Sequence, residues 1–138
     1  MKMLLANIFT LTGAAIFLIF GLAYLYKSAS VNNHCGSIRK DLEELTLQNK
    51  TLLFALMRGV AAGSLAVAVT IIFLQLQFLK NPIKWIPLII LISSSIFFLI
   101  SINAMILVKR KTSIKPPIIL LMLAMLFIAA GYFASINV

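Results

Sequence analysis

Arg58 is the single charged residue inside four long apolar runs, and it is the side chain best placed to do chemistry. An ionisable group in a hydrocarbon setting is costly, so it marks a site unless a cheaper explanation exists. A guanidinium offers several planar donors that suit phosphate or carboxylate oxygens. A carboxylate in another run would make an intramembrane ion pair, but Asp41, Glu43 and Glu44 all fall in one connecting segment. The cheaper role is anchoring, with the Arg58 head reaching out to lipid phosphates while its stem stays in apolar surroundings. The sharper role is recognition of an anionic lipid or ligand at the cytoplasmic mouth, together with Lys50, Lys109, Arg110 and Lys111. Anchoring is the expectation.

The remaining reactive residue types are sparse. His34 and Cys35 are the only histidine and cysteine, adjacent and without nearby ligand partners, so no metal site is expected. A lone cysteine closes no intramolecular disulfide, and a lone histidine supports neither paired heme ligation nor a convincing nucleophile–base arrangement. The apolar runs contain no Asp, Glu, Lys or His, the usual parts of proton relays and ion coupling. In size and number of runs the chain resembles the small multidrug exporters. Their functional glutamate in the first span has no counterpart here, so their activity is not carried over. No enzyme activity and no cofactor are expected.

Two sets of uncharged residues remain. Ala55, Gly59 and Gly63 recur every four residues, with Ala62 and Ala66 on adjoining turns. Small residues at that spacing let helix backbones approach closely in lipid. The series is expected to pack against the first or fourth span, whose Ala129, Ala130, Gly131 and Ala134 could answer it, with self-association as the alternative. Ser94, Ser101 and Asn103 form a polar streak in the third run, as packing glue or as the lining of a path.

The elements that must carry these residues are legible from hydropathy. Of 138 residues, 62% are hydrophobic, and the mean hydropathy is +1.10. Apolar runs cover residues 3–26, 52–79, 85–108 and 116–138, each at least the ~20 residues a helix needs to cross ~30 Å of hydrocarbon. Lipid offers no partners to backbone groups, and no period-2 alternation is present, so the runs must be helices rather than barrel strands. The first is too long for a signal peptide and ends in Tyr24, Tyr26 and Lys27, so it is expected to stay as a span. Residues 37–58 alternate Ile38, Leu42 and Leu45 with charged neighbours, the pattern of an amphipathic segment at the membrane surface. If Arg58 marks a boundary, the second span runs 59–79. Asn81 and Pro82 are expected to cap and open the third helix. The expected fold is all-α: one polytopic membrane domain of four transmembrane helices in an up-down bundle, with a short cytoplasmic amphipathic helix.

Net charge is +9, yet the basic residues gather at the ends of apolar runs rather than on a soluble face, which argues against nucleic acid and for anionic headgroups. Lys27, Arg39, Lys40, Lys50, Lys109, Arg110, Lys111 and Lys115 flank the first and third connections, against Lys2, Lys80 and Lys84 on the other side. The positive-inside rule then puts both basic connections in the cytoplasm of a bacterial inner membrane and both termini outside. The function expected is that of a non-enzymatic accessory, assembly or regulatory subunit acting through lipid and protein contacts, with a membrane protein partner or a homo-oligomer. The alternatives are a small carrier or flippase for lipid-like molecules and a membrane immunity protein.

Overall fold

The computed structural model describes residues 2–30, 47–111 and 118–136. Four helices make up nearly all of it: α1 Lys2–Ser30, α2 Leu47–Lys80, α3 Trp85–Lys111 and α4 Ile118–Ile136. Stretches of each are long and apolar enough to cross a membrane: Met3–Tyr26, Phe54–Lys80, Trp85–Ile106 and Ile118–Ile136. Residues 37–46 of the expected amphipathic segment, with Asp41, Glu43 and Glu44, lie outside the described residues, as do His34 and Cys35. Residues 47–58 belong to α2, which passes Arg58 without a break.

The short connection between α2 and α3 is built differently from the expected cap. Asn81 N–H donates to Gln77 O at 2.9 Å, extending the last turn of α2, and Ile83 N–H donates to Asn81 O at 2.8 Å. Helix α3 starts only at Trp85, so Pro82 sits in the turn rather than at the first helical position. Pro87 occupies the first turn instead, where a missing N–H leaves no intrahelical bond unmade.

Helix α1 makes the most extensive contacts, with α2 on one side and α4 on the other, while α3 touches the same two helices more thinly. Glycines set both close approaches of α1. A Cβ at Gly13 would meet Ala124 O at 3.0 Å and the side chain of Ile128, and one at Gly131 would meet Thr10 N at 3.0 Å and Ala6 O at 3.2 Å. On the other flank a Cβ at Gly21 would meet Ala61 O at 3.1 Å and the side chain of Leu65. Backbones this near gain dispersion contacts that larger side chains would forbid, a main source of helix association where lipid removes the hydrophobic drive. The fully buried core combines Ala14, Phe17 and Phe20 of α1 with Ala68 and Ile71 of α2, Ile90 of α3, and Leu121, Ala124 and Ile128 of α4. Phe17 and Phe97 meet edge to face, centroids 5.6 Å apart. The outward surfaces are apolar too, with Leu4, Ile19, Phe73, Leu99, Ile100, Leu126 and Phe133 all widely exposed.

Candidate functional site

Among the described residues six polar side chains are buried: Asn7 and Thr10 on α1, Ser64 and Gln75 on α2, Ser94 and Ser101 on α3. Three of them, through two hydrogen bonds, tie helices together. Ser64 Oγ donates to Phe17 O at 2.7 Å across the α1–α2 contact, and Gln75 Nε2 donates to Asn7 Oδ1. The others whose bonds are defined turn inward on their own helix. Thr10 Oγ1 donates to Ala6 O at 2.9 Å, and Ser94 Oγ to Ile90 O at 2.6 Å. These i−4 bonds satisfy a hydroxyl that hydrocarbon cannot, without joining it to a neighbour.

That geometry bears on the polar streak expected on the third span. Ser94 and Ser101 are buried on one face, but Asn103 is exposed. Its Nδ2 donates to Leu99 O at 2.9 Å, on its own helix. Two residues beyond Ser101, Asn103 is turned well away around the helix, so it joins no common lining. The chemistry available to the buried set is narrow. Amides do not titrate near neutrality, and hydroxyls bonded to backbone carbonyls have no base to activate them. Asn7 and Gln75 were visible as isolated polar positions but not as a pair. The signal was their equal depth: Asn7 follows Lys2 by five residues and Gln75 precedes Lys80 by five.

The small-residue series lies elsewhere than expected. Ala55, Gly59 and Ala66 are exposed, and a Cβ at Gly59 would meet nothing within 4 Å. Gly63 is half-buried and faces α3, where its Cβ would meet the Phe97 ring at 2.9 Å. The small face of α4 is used, but by α1: Gly131 seats against Thr10 and Ala6. The close approach therefore belongs to Gly13, Gly21 and Gly131. A spacing of four marks a face that can pack without saying which face the fold covers.

Arg58 is exposed on α2. Among the described residues it has no ion-pair partner. Lys50 lies in the first turn of α2 and Lys109, Arg110 and Lys111 in the last of α3, but their side chains are outside what the structure describes. Arg58 and Lys80 stand about 33 Å apart along α2 at ~1.5 Å per residue, close to the ~30 Å thickness of a hydrocarbon core. Trp85, 70% exposed, lies beside the Lys80 end. On α1, where Gly21 lies against Ala61 and Leu65, Tyr26 falls near the level of Arg58 and is 76% exposed. Exposed aromatics and cations at both ends are the markings of two membrane–water boundaries.

No family model, curated protein or solved structure matches the chain. The functional reading therefore rests on the residues themselves.

Proposed function

We propose that the protein is a non-enzymatic membrane subunit that assists, assembles or regulates another membrane protein through helix and lipid contacts. The observation that supports this best is the contrast between inside and outside. The buried polar groups Asn7, Gln75, Ser64, Thr10 and Ser94 are used up in helix-to-helix or own-helix bonds. The outer surface, by comparison, presents large apolar side chains on all four helices and exposed small residues on α2. An interior spent on cohesion leaves the outside as the working surface.

The architecture proposed with it is an up-down four-helix bundle in a bacterial inner membrane, both termini outside. The pairings support its antiparallel order. Residues advancing along α1, from Asn7 through Phe17 to Gly21, meet residues receding along α2, from Gln75 through Ser64 to Ala61. The same reversal holds for Thr10 with Gly131 and Gly13 with Ile128. The cytoplasmic amphipathic helix over residues 37–58 remains part of the proposal, with its charged face toward headgroups.

Purification of the tagged chain from its native membrane in mild detergent, followed by mass measurement of intact complexes, tests the assignment. A second membrane protein in fixed ratio is expected. A chain that comes away alone and moves amphiphiles across reconstituted vesicles above the empty-vesicle rate would replace the subunit reading with the carrier.

A further inference from the structure

Ser101 stands apart from the other buried polar residues. It is only 2% exposed, yet its hydroxyl makes no hydrogen bond. Thr10 and Ser94 each bond the carbonyl four residues back; Ser101 leaves Phe97 O unused. A hydroxyl without a partner is costly in an apolar interior, so its satisfaction has to come from elsewhere. Among the described residues, no side-chain oxygen or nitrogen fully shut off from solvent lacks a partner. The small exposure that Ser101 keeps therefore falls on Oγ, and an opening wide enough for a water molecule reaches that oxygen.

A second hydroxyl stands at the same depth. Phe17 of α1 and Phe97 of α3 meet edge to face. Ser101 follows Phe97 by one turn on the same face of α3, and Tyr24 follows Phe17 by two turns on the same face of α1. Side chains on a helix lean back toward its N-terminus, and the Tyr24 ring does so, lying on Phe20 with centroids 4.7 Å apart. Its phenol is thus carried back toward the level of Ser101. Tyr24 is half-buried and makes no hydrogen bond either. We propose that a water molecule is held between α1 and α3 at this depth, with the Ser101 and Tyr24 hydroxyls as its two partners, the minimum that a held water needs. The shorter way in is from the Arg58 end. Ser101 lies about 12 Å along α3 from Lys109 and about 24 Å from Trp85, at ~1.5 Å per residue. The fully buried Phe17 ring and its contact with Phe97 form the floor of this hydrated vestibule. Beyond the floor Ser94 is sealed and bonded to its own helix.

Cysteine reacts with methyl methanethiosulfonate as the thiolate, and burial in apolar surroundings suppresses the thiolate. In a Cys35→Ser background, in native membrane vesicles, Ser101→Cys is expected to be modified at least about tenfold faster than Ser94→Cys, the factor that each pKa unit added by burial takes from a sealed thiolate. Each rate is taken relative to the same chain unfolded in sodium dodecyl sulfate. Ser101→Ala gives a second reading, by thermal unfolding in detergent. Where the hydroxyl is hydrated, its removal leaves the melting temperature unchanged or lowers it; where it is dry and unpaired, the same change raises it. Equal labelling of Ser101→Cys and Ser94→Cys, or a raised melting temperature for Ser101→Ala, would overturn the proposal.

Discussion

Glycines that look alike in sequence carry very different weight here, and substitution separates them. Gly131→Ala drives a methyl into Thr10 and toward Ala6 O, and Gly13→Ala drives one into Ile128 and Ala124 O. Backbone atoms cannot step aside, so α1 and α4 must part; each change should destabilise by about 1–3 kcal/mol, the usual cost of overpacking. Gly59→Ala meets open space and should stay within about 0.5 kcal/mol of the parent. Unfolding in mixed detergent micelles measures all three. Equal effects at Gly59 and Gly131 would mean that the α1–α4 contact is not the tight one. The Asn7–Gln75 pair allows a second residue-level test. Gln75→Leu leaves the Asn7 amide buried without its partner and should cost about 1–3 kcal/mol, whereas Asn7→Leu with Gln75→Leu should cost less than the two single changes together.

At the scale of elements, hydrogen bonds that cross between helices must be told from those that stay within one. Ser64→Ala removes the bond to Phe17 O, and interhelical bonds in membranes average about 0.6 kcal/mol with a ceiling near 1.7. Ser94→Ala removes only a bond to its own helix and should be close to neutral, although both serines are fully buried. The same unfolding measurement compares them; a larger loss at Ser94 would give α3 a tie to its neighbours that its geometry lacks. The helices themselves were legible in sequence because hydrocarbon demands long apolar stretches, and residues 3–26 and 85–108 stand out for that reason alone. Which face of each helix turns inward was not. In a soluble protein the polar side announces itself, but here Phe17 inside and Phe73 outside are equally apolar, so the sequence pattern barely distinguishes lipid from core. The small residues at Ala55, Gly59 and Gly63 carried the same ambiguity. Polar residues at matching depth, such as Asn7 and Gln75, point inward more dependably, since lipid rejects them.

For the molecule as a whole, the remaining question is which way round it sits, and charge is the only determinant the chain offers. Lys27, Lys50, Arg58, Lys109, Arg110 and Lys111 fall on one side of the proposed bundle, with Arg39, Lys40 and Lys115 in its connections, against Lys2, Lys80 and Lys84 on the other. Basic residues near span ends are held in the cytoplasm during insertion, so the richer side should remain there. A cysteine in a C-terminal tag, in a Cys35→Ser background, should then react with an impermeant maleimide in intact cells, and a cysteine at position 113 should react only after the membrane is opened. Lys80→Gln with Lys84→Gln widens the imbalance and should leave this pattern as it is. Neutralising Lys109, Arg110, Lys111 and Lys115 together while adding two lysines beside Lys80 should bring the two sides near parity and yield a mixed population. A tag reached only after permeabilisation in the parent chain would invert the arrangement, placing Arg58 and the basic ends of α2 and α3 on the outer side of the membrane.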